Sequence, residues 1–257
     1  MLAIQHSWYM TMRHLRALAR QPWYIAFSLL QPIIYLLLFS QLFKRVVELP
    51  GFSTTSYIAF LTPGIVIMSA LFGGGWSGMS IIVDLDRGVL DRFLVTPVNR
   101  GALITGRILQ LAVVTIVQAA IIFGLGLILG ARFSGGVLGA VILVLLAILL
   151  AAPFGALSSA MALMARKEES VIGAVNFLLL PLSFLSTVFM DQSLMPGWIR
   201  TVARLNPANW AVQAGREALS ANPDWAFILV RGGLLLALTI VCGWLATRAF
   251  RSYQASI

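Results

Sequence analysis

The sequence predicts an all-α integral membrane protein with six transmembrane helices, on three observations. Hydrophobic residues make up 60% of the 257-residue chain and charged residues only 11%, where soluble chains carry about 25% charged residues. The apolar residues come in continuous runs of about 20, the length that crosses a hydrocarbon core. No stretch shows the alternating polarity of barrel strands. Backbone inside hydrocarbon must pair internally, as a helix or a closed barrel, so helices remain.

The first element is not a span. Residues 4–20 place Ile4, Trp8, Met12, Leu15 and Ala19 on one helical face, with Arg13, Arg16 and Arg20 largely on another. That pattern fits an interfacial helix on the inner leaflet, before Pro22 turns the chain inward. The apolar stretch that follows is too long for a signal peptide. Six apolar runs then read as spans: 23–43, 57–83, 108–130, 137–165, 171–190 and 226–247. The second holds Pro63 and the triplet Gly73-Gly74-Gly75, and Pro32, Pro153 and Pro181 each interrupt another.

Between the second and third spans, residues 84–96 (DLDRGVLDRFLVT) form a short amphipathic helix. Val89, Leu90, Phe93 and Leu94 make its apolar side, Arg87 and Asp91 are an i,i+4 pair, and Pro97 ends it. Residues 191–225 read as two short outer helices. Asn206 is the expected N-cap of one, with Pro207 at its first position. Trp198, Trp210 and Trp225 suit a headgroup belt.

Basic residues in short loops set the orientation. With both termini cytosolic, the inner segments hold Arg13, Arg16, Arg20, Arg87, Arg92, Arg100, Arg107, Arg166, Lys167, Arg248 and Arg251. Lys44, Arg45, Arg132, Arg200, Arg204 and Arg216 fall outside, with Arg231 near the same face. A net charge of +9 therefore points to lipid phosphates and cytosolic protein rather than nucleic acid.

Several chemistries find no residues to carry them. Lys44 and Lys167 are the only lysines, and neither lies in a Gly-rich phosphate loop. His6 and His14 read as interfacial histidines, with no HExxH pattern and hence no expected metal. Cys242 stands alone inside an apolar run, so no disulfide framework is possible. All nine acids fall outside the spans, which disfavours both an intramembrane aspartyl protease and an ion-coupled carrier. Arg231 is close enough to a span end to snorkel. The span interiors keep mild polar groups, among them Gln31, Gln118, Ser158, Asn176, Ser183 and Thr187, better suited to helix–helix hydrogen bonds than to a charged pathway. A non-transporting scaffold is the other alternative, and the 84–96 helix argues against it.

Two stretches carry a family resemblance. Residues 86–109, DRGVLDRFLVTPVNRGALITGRIL, resemble the first cytosolic loop of ABC-2 type permeases, the membrane subunits of daunorubicin-resistance, nodulation-factor and polysaccharide exporters. The family pattern is an acid, Arg-Gly-Thr-Leu-Glu, a Thr-Pro step and Gly-x-Leu; Val89 stands here for Thr and Asp91 for Glu. Residues 205–219, LNPANWAVQAGREAL, resemble the Asn-Pro segment before that family's last span.

The resemblance implies a half-transporter in the cytoplasmic membrane, expected to be bacterial. Two copies of this chain, or one with a paralogous permease, would pair, and two copies of a separate P-loop ATPase would dock from the cytosol. ATP and Mg would bind that partner, with no cofactor in this chain. The helix at 84–96 becomes the coupling helix: Val89, Leu90, Phe93 and Leu94 form an apolar knob, ringed by Asp86, Arg87, Asp91 and Arg92. Glu168 and Glu169 form a possible second ATPase contact. The resemblance puts the pathway at the permease dimer interface, lined by spans one, two and five, with Gln31, Tyr35, Asn176, Phe177 and Phe184 as candidates. The cargo would be an amphipathic drug, a lipid or a lipid-linked glycan.

Overall fold

The computed structural model describes residues 22–50, 52, 56–87 and 100–254. The interfacial helix expected at 4–20 and positions 88–96 of the expected coupling helix lie outside the described residues. Among the described residues every regular element is helical. They are α1 (Pro22–Leu42), α2 (Tyr57–Trp76), α3 (Met79–Asp86), α4 (Arg100–Ile128), α5 (Gly136–Ala165), α6 (Glu168–Phe184), α7 (Gly197–Leu205), α8 (Pro207–Ala218) and α9 (Trp225–Gln254). Short 3-10 turns occupy Lys44–Glu48 and Gln192–Leu194.

Four stretches are long and apolar enough to cross a membrane: Tyr57–Asp86, Ile108–Ile128, Gly136–Ala165 and Trp225–Arg248. The first and fifth expected spans are the shorter ones. The apolar part of α1 covers Ala26–Leu42. α6 has 17 residues, or ~25 Å at the helical rise, against a core of about 30 Å.

α5 is the axis of the bundle, packed against α2, α9, α8, α4, α3 and α6. α2 lies beside it and is covered in turn by α4, α1, α8 and α6. Their contact buries Leu61, Ile65, Leu71, Leu143 and Leu150. The far sides of α1, α4 and α9 keep large apolar side chains exposed, such as Phe27, Ile121 and Leu229. An apolar outside is what a bundle solvated by lipid must present.

The expected proline breaks are continuous helix instead, and the reason is visible at Pro153. A proline at that position has no N–H for the carbonyl of Leu149, one turn back. Thr239 of α9 donates its hydroxyl to that carbonyl at 3.1 Å, and to Leu235 O at 2.8 Å. A neighbouring helix thus satisfies the group that the proline frees.

The second span differs from the continuous 57–83 expected for it. It breaks at Ser77-Gly78, after the glycine triplet rather than in it, and α3 carries it on to Asp86. Residues 84–86, expected to begin the coupling helix, therefore close α3. Asp86 is its last residue and Arg87 its C-cap.

The fifth span was expected at 171–190; the helix runs Glu168–Phe184. Its early start puts Glu168 and Glu169 in its first turn rather than in a loop, where they complement the helix N-terminus. Its early end is caused by asparagines. The Asn206 side-chain amide donates to Leu182 O at 2.7 Å and Leu185 O at 2.9 Å, taking carbonyls that a longer helix would use. Asn209 Oδ1 accepts from Thr187 N at 3.0 Å and Thr187 Oγ1 at 2.6 Å, and its amide donates to Ala203 O at 2.9 Å.

The two expected outer helices are α7 and α8, and Asn206 caps the second as expected, accepting from Ala208 N at 2.9 Å with Pro207 at the first position. The segment LNPANW thus bolts the end of α6 to α7 and α8.

Candidate functional site

The described parts of the candidate site lie along α1 and α6, which flank α2. On α1 the residues Trp23, Phe27, Leu30, Ile34 and Leu38 are exposed at steps of four, three, four and four, so they form one stripe. On α6, Phe177 and Phe184 are exposed seven residues apart and therefore share a face. Two helices of one bundle both present apolar faces with no partner among the described residues.

The structure sorts the pathway candidates into two groups. Gln31 donates its amide to the Tyr35 hydroxyl at 3.2 Å. Tyr35 packs edge-on against Phe189, with ring centroids 6.2 Å apart, and Phe184 stacks on the same Phe189 at 5.9 Å. Phe189 therefore joins Tyr35 of α1 to Phe184 just across from it. Asn176, half-buried, and Phe177, 84% exposed, lie further along α6 and do not join this cluster among the described residues.

Phe189 is a residue that sequence reasoning missed. It sits in an apolar run that reads as the end of a span, and no local signal separates it from Val188 or Met190. The aromatic chain extends beyond it, from Phe39 to Phe43, Tyr57, Phe60 and Phe52. Tyr57 anchors it by donating its hydroxyl to Phe189 O at 2.9 Å. Such tilted and stacked pairs are each favourable by about 1 kcal/mol beyond burial.

Arg216 closes the far end of this chain. Its guanidinium lies 3.5 Å over the Phe60 ring, donates from Nε to Phe60 O at 3.0 Å and donates to Val188 O at 3.1 Å. Burial lowers its pKa to about 9, with Asp191 and then Tyr57 acting to raise it. It remains a cation at neutral pH. The arrangement is a chain of aromatic rings, exposed at Phe184 and buried at Tyr57 and Phe60, that ends in one positive charge.

Of the expected ATPase contacts, Asp86 and Arg87 sit where α3 ends. Val89, Leu90, Asp91, Arg92, Phe93 and Leu94 fall outside the described residues. Glu168 and Glu169 are exposed at the same end of the bundle, beside the left-handed Arg166 that caps α5.

Comparison with known proteins accords with this geometry. A daunorubicin resistance ABC transporter permease, DrrB1 of Streptomyces coeruleorubidus, is 31% identical over 256 residues, which is 98% of this chain and 87% of the relative. The ycf38 protein of Cyanophora paradoxa, a transport permease by name, is 28% identical over 87% of this chain and 77% of its own length. DrrC of Mycobacterium tuberculosis, by name a doxorubicin resistance ABC transporter permease, is 26% identical over 63% of this chain and 59% of its own length. Each of these relatives is a permease by name. Residues 5–219 match the ABC-2 type transporter family, and the chain belongs to it.

Proposed function

We propose that this chain is the permease subunit of an ATP-driven exporter that moves an amphipathic drug, lipid or lipid-linked glycan across the cytoplasmic membrane of a bacterium. The observation that carries this reading is the alignment with the daunorubicin resistance permease along 98% of the chain. The aromatic cluster of Tyr35, Phe189 and Phe184 at α1 and α6 supports an amphipathic cargo. Of the cargo classes, a planar aromatic drug suits stacked and edge-on rings best.

In this reading both termini are cytosolic and α1 and α6 complete a set of six spans. The apolar faces of those two helices cover one another across a dimer of this chain. Two copies of a separate P-loop ATPase supply the hydrolysis, since this chain has no phosphate-binding lysine loop. The ATPase seats on residues 84–96, with Phe93 and Leu94 in its cleft and Asp86, Arg87, Asp91 and Arg92 around the rim. Glu168 and Glu169 touch it again at the start of α6.

The test is extraction in mild detergent followed by identification of what co-purifies. A stoichiometric P-loop ATPase is expected with the wild-type chain. Phe93→Asp places a charge in the apolar knob and is expected to weaken that association by at least about tenfold while leaving membrane insertion intact. A homo-oligomer with no ATPase would reject the exporter reading, and an ATPase retained by Phe93→Asp would reject the coupling role of that helix.

A further inference from the structure

A helix that breaks inside hydrocarbon leaves a donor and an acceptor with no water to meet them. At the α2–α3 break these are the N–H of Gly78 and the carbonyl of Gly75. One hydroxyl answers both. Ser158 Oγ of α5 accepts from Gly78 N at 3.2 Å and donates to Gly75 O. Ser158 is buried, and a serine hydroxyl has one hydrogen to give and lone pairs to receive. The rest of the break is closed from within, since Ser77 donates both N–H and Oγ to Gly74 O, at 3.1 and 2.7 Å.

Close backbone approach makes this possible. A Cβ on Gly78 would overlap Ser158, and one on Gly155 of α5 would stand 3.1 Å from Ser77 Oγ. α5 is the most widely packed helix of the bundle, so a group fixed to it is fixed to the whole. Beyond the break α3 runs for eight residues, or ~12 Å of helix, and residues 88–96 follow it in the sequence.

We propose that Ser158 is a positioning residue for transport: it pins the α2–α3 break to α5, so that a push on the C-terminal end of α3 turns α3 about Ser77-Gly78 instead of being lost in sliding of the whole span. This rests on the exporter reading for the source of the push. The pin itself is a property of the chain alone. A straight helix would transmit force along its axis, whereas a break held at one point converts it to rotation. Loss of the hydroxyl frees two backbone groups, which either re-pair into a continuous helix or leave α3 loose.

The experiment places nitroxide labels at Val83→Cys on α3 and Met164→Cys on α5, both exposed positions, in the full chain carrying Cys242→Ala. Pulsed electron resonance then reads the distance in lipid nanodiscs. The expected result is one narrow distance for the parent, a distribution about twofold broader or a shifted one for Ser158→Ala, and return to the narrow form for Ser158→Thr, which restores the hydroxyl. The neighbouring Ser159→Ala should leave the distance unchanged. If Ser158→Ala keeps the parent distance and width, the pin does not exist.

A second arm adds the co-purified ATPase with ATP. The parent distance should shift on nucleotide binding, and Ser158→Ala should shift by less than half as much while hydrolysing ATP within about twofold of the parent rate. A parent that never shifts, or an alanine variant that shifts fully, overturns the positioning role. If no ATPase co-purifies, the exporter reading fails, and the first arm still decides whether Ser158 pins the break.

Discussion

Replacing Asn209 with alanine is expected to destabilise the chain by about 4 kcal/mol. The side chain is 1% exposed and serves three partners at once, accepting from Thr187 N and Thr187 Oγ1 and donating to Ala203 O. Each lost bond costs about 1 kcal/mol, and a buried amide or carbonyl left unpaired costs about 1–3 kcal/mol more. Alanine leaves one such group, the Thr187 N–H, while Ala203 C=O keeps the Asn206 N–H at 3.2 Å. Thermal unfolding of the purified chain in detergent measures the effect. Thr201→Ala on the exposed side of α7 is the comparison, expected within about 0.5 kcal/mol of the parent. An Asn209 variant within about 1 kcal/mol of the parent would mean that the loop after α6 is held by something other than this amide.

Gly74→Leu should have the larger consequence for folding yield. A Cβ at Gly74 would overlap the Ala151 carbonyl oxygen and lie 3.1 Å from Ala151 Cα. Both obstacles are backbone, so no rotamer change relieves them. α2 and α5 would have to separate along one of the two most extensive contacts in the bundle. In a membrane, close packing of small residues is a main source of helix association, and overpacking a filled core usually costs about 1–3 kcal/mol before any contact is lost. The amount of monodisperse protein extracted should fall by at least about tenfold. Gly124→Leu on α4, where a Cβ meets nothing within 4 Å, should be extracted at the parental level. Equal yields from the two variants would show that the α2–α5 approach is adjustable.

The elements could be read from the sequence because hydropathy acts locally. Runs such as 137–165 contain no charge and match α5 to within a residue. Asn206-Pro207 marked the start of α8 for the same reason, since a cap and a first-turn proline are neighbours in sequence. What escaped the reading is contact between distant residues. Asn206 ends α6 from 21 and 24 residues away, so a span expected to reach Met190 stops at Phe184. The Gly73-Gly74-Gly75 triplet stays helical, against α4, α5 and α6 in turn; the break falls at Gly78, where Ser158 is available 80 residues further on.

The candidate site divides along the same line. Tyr35 and Phe184 were identifiable as aromatics within apolar runs, but their shared partner Phe189 was hidden, as was the seat of Arg216 on Phe60. Gln31 joined Tyr35 because four residues make one helical turn. Phe177 faces outward in the single chain and Asn176 beside it is half-buried.

The bond from Thr239 to Leu149 has a consequence for how this chain can vary. Pro153 is better accommodated while a hydroxyl on α9 shares its hydrogen with the carbonyl that the proline leaves without an N–H, whereas Thr239 would be unremarkable opposite an alanine. The dependency runs one way. A lineage could acquire the threonine first and the proline afterwards without passing through a weakened form, while the reverse order passes through a chain with an unpaired carbonyl in hydrocarbon. The same asymmetry applies to reversal: losing the proline frees position 239 to drift, and losing the threonine first does not free position 153.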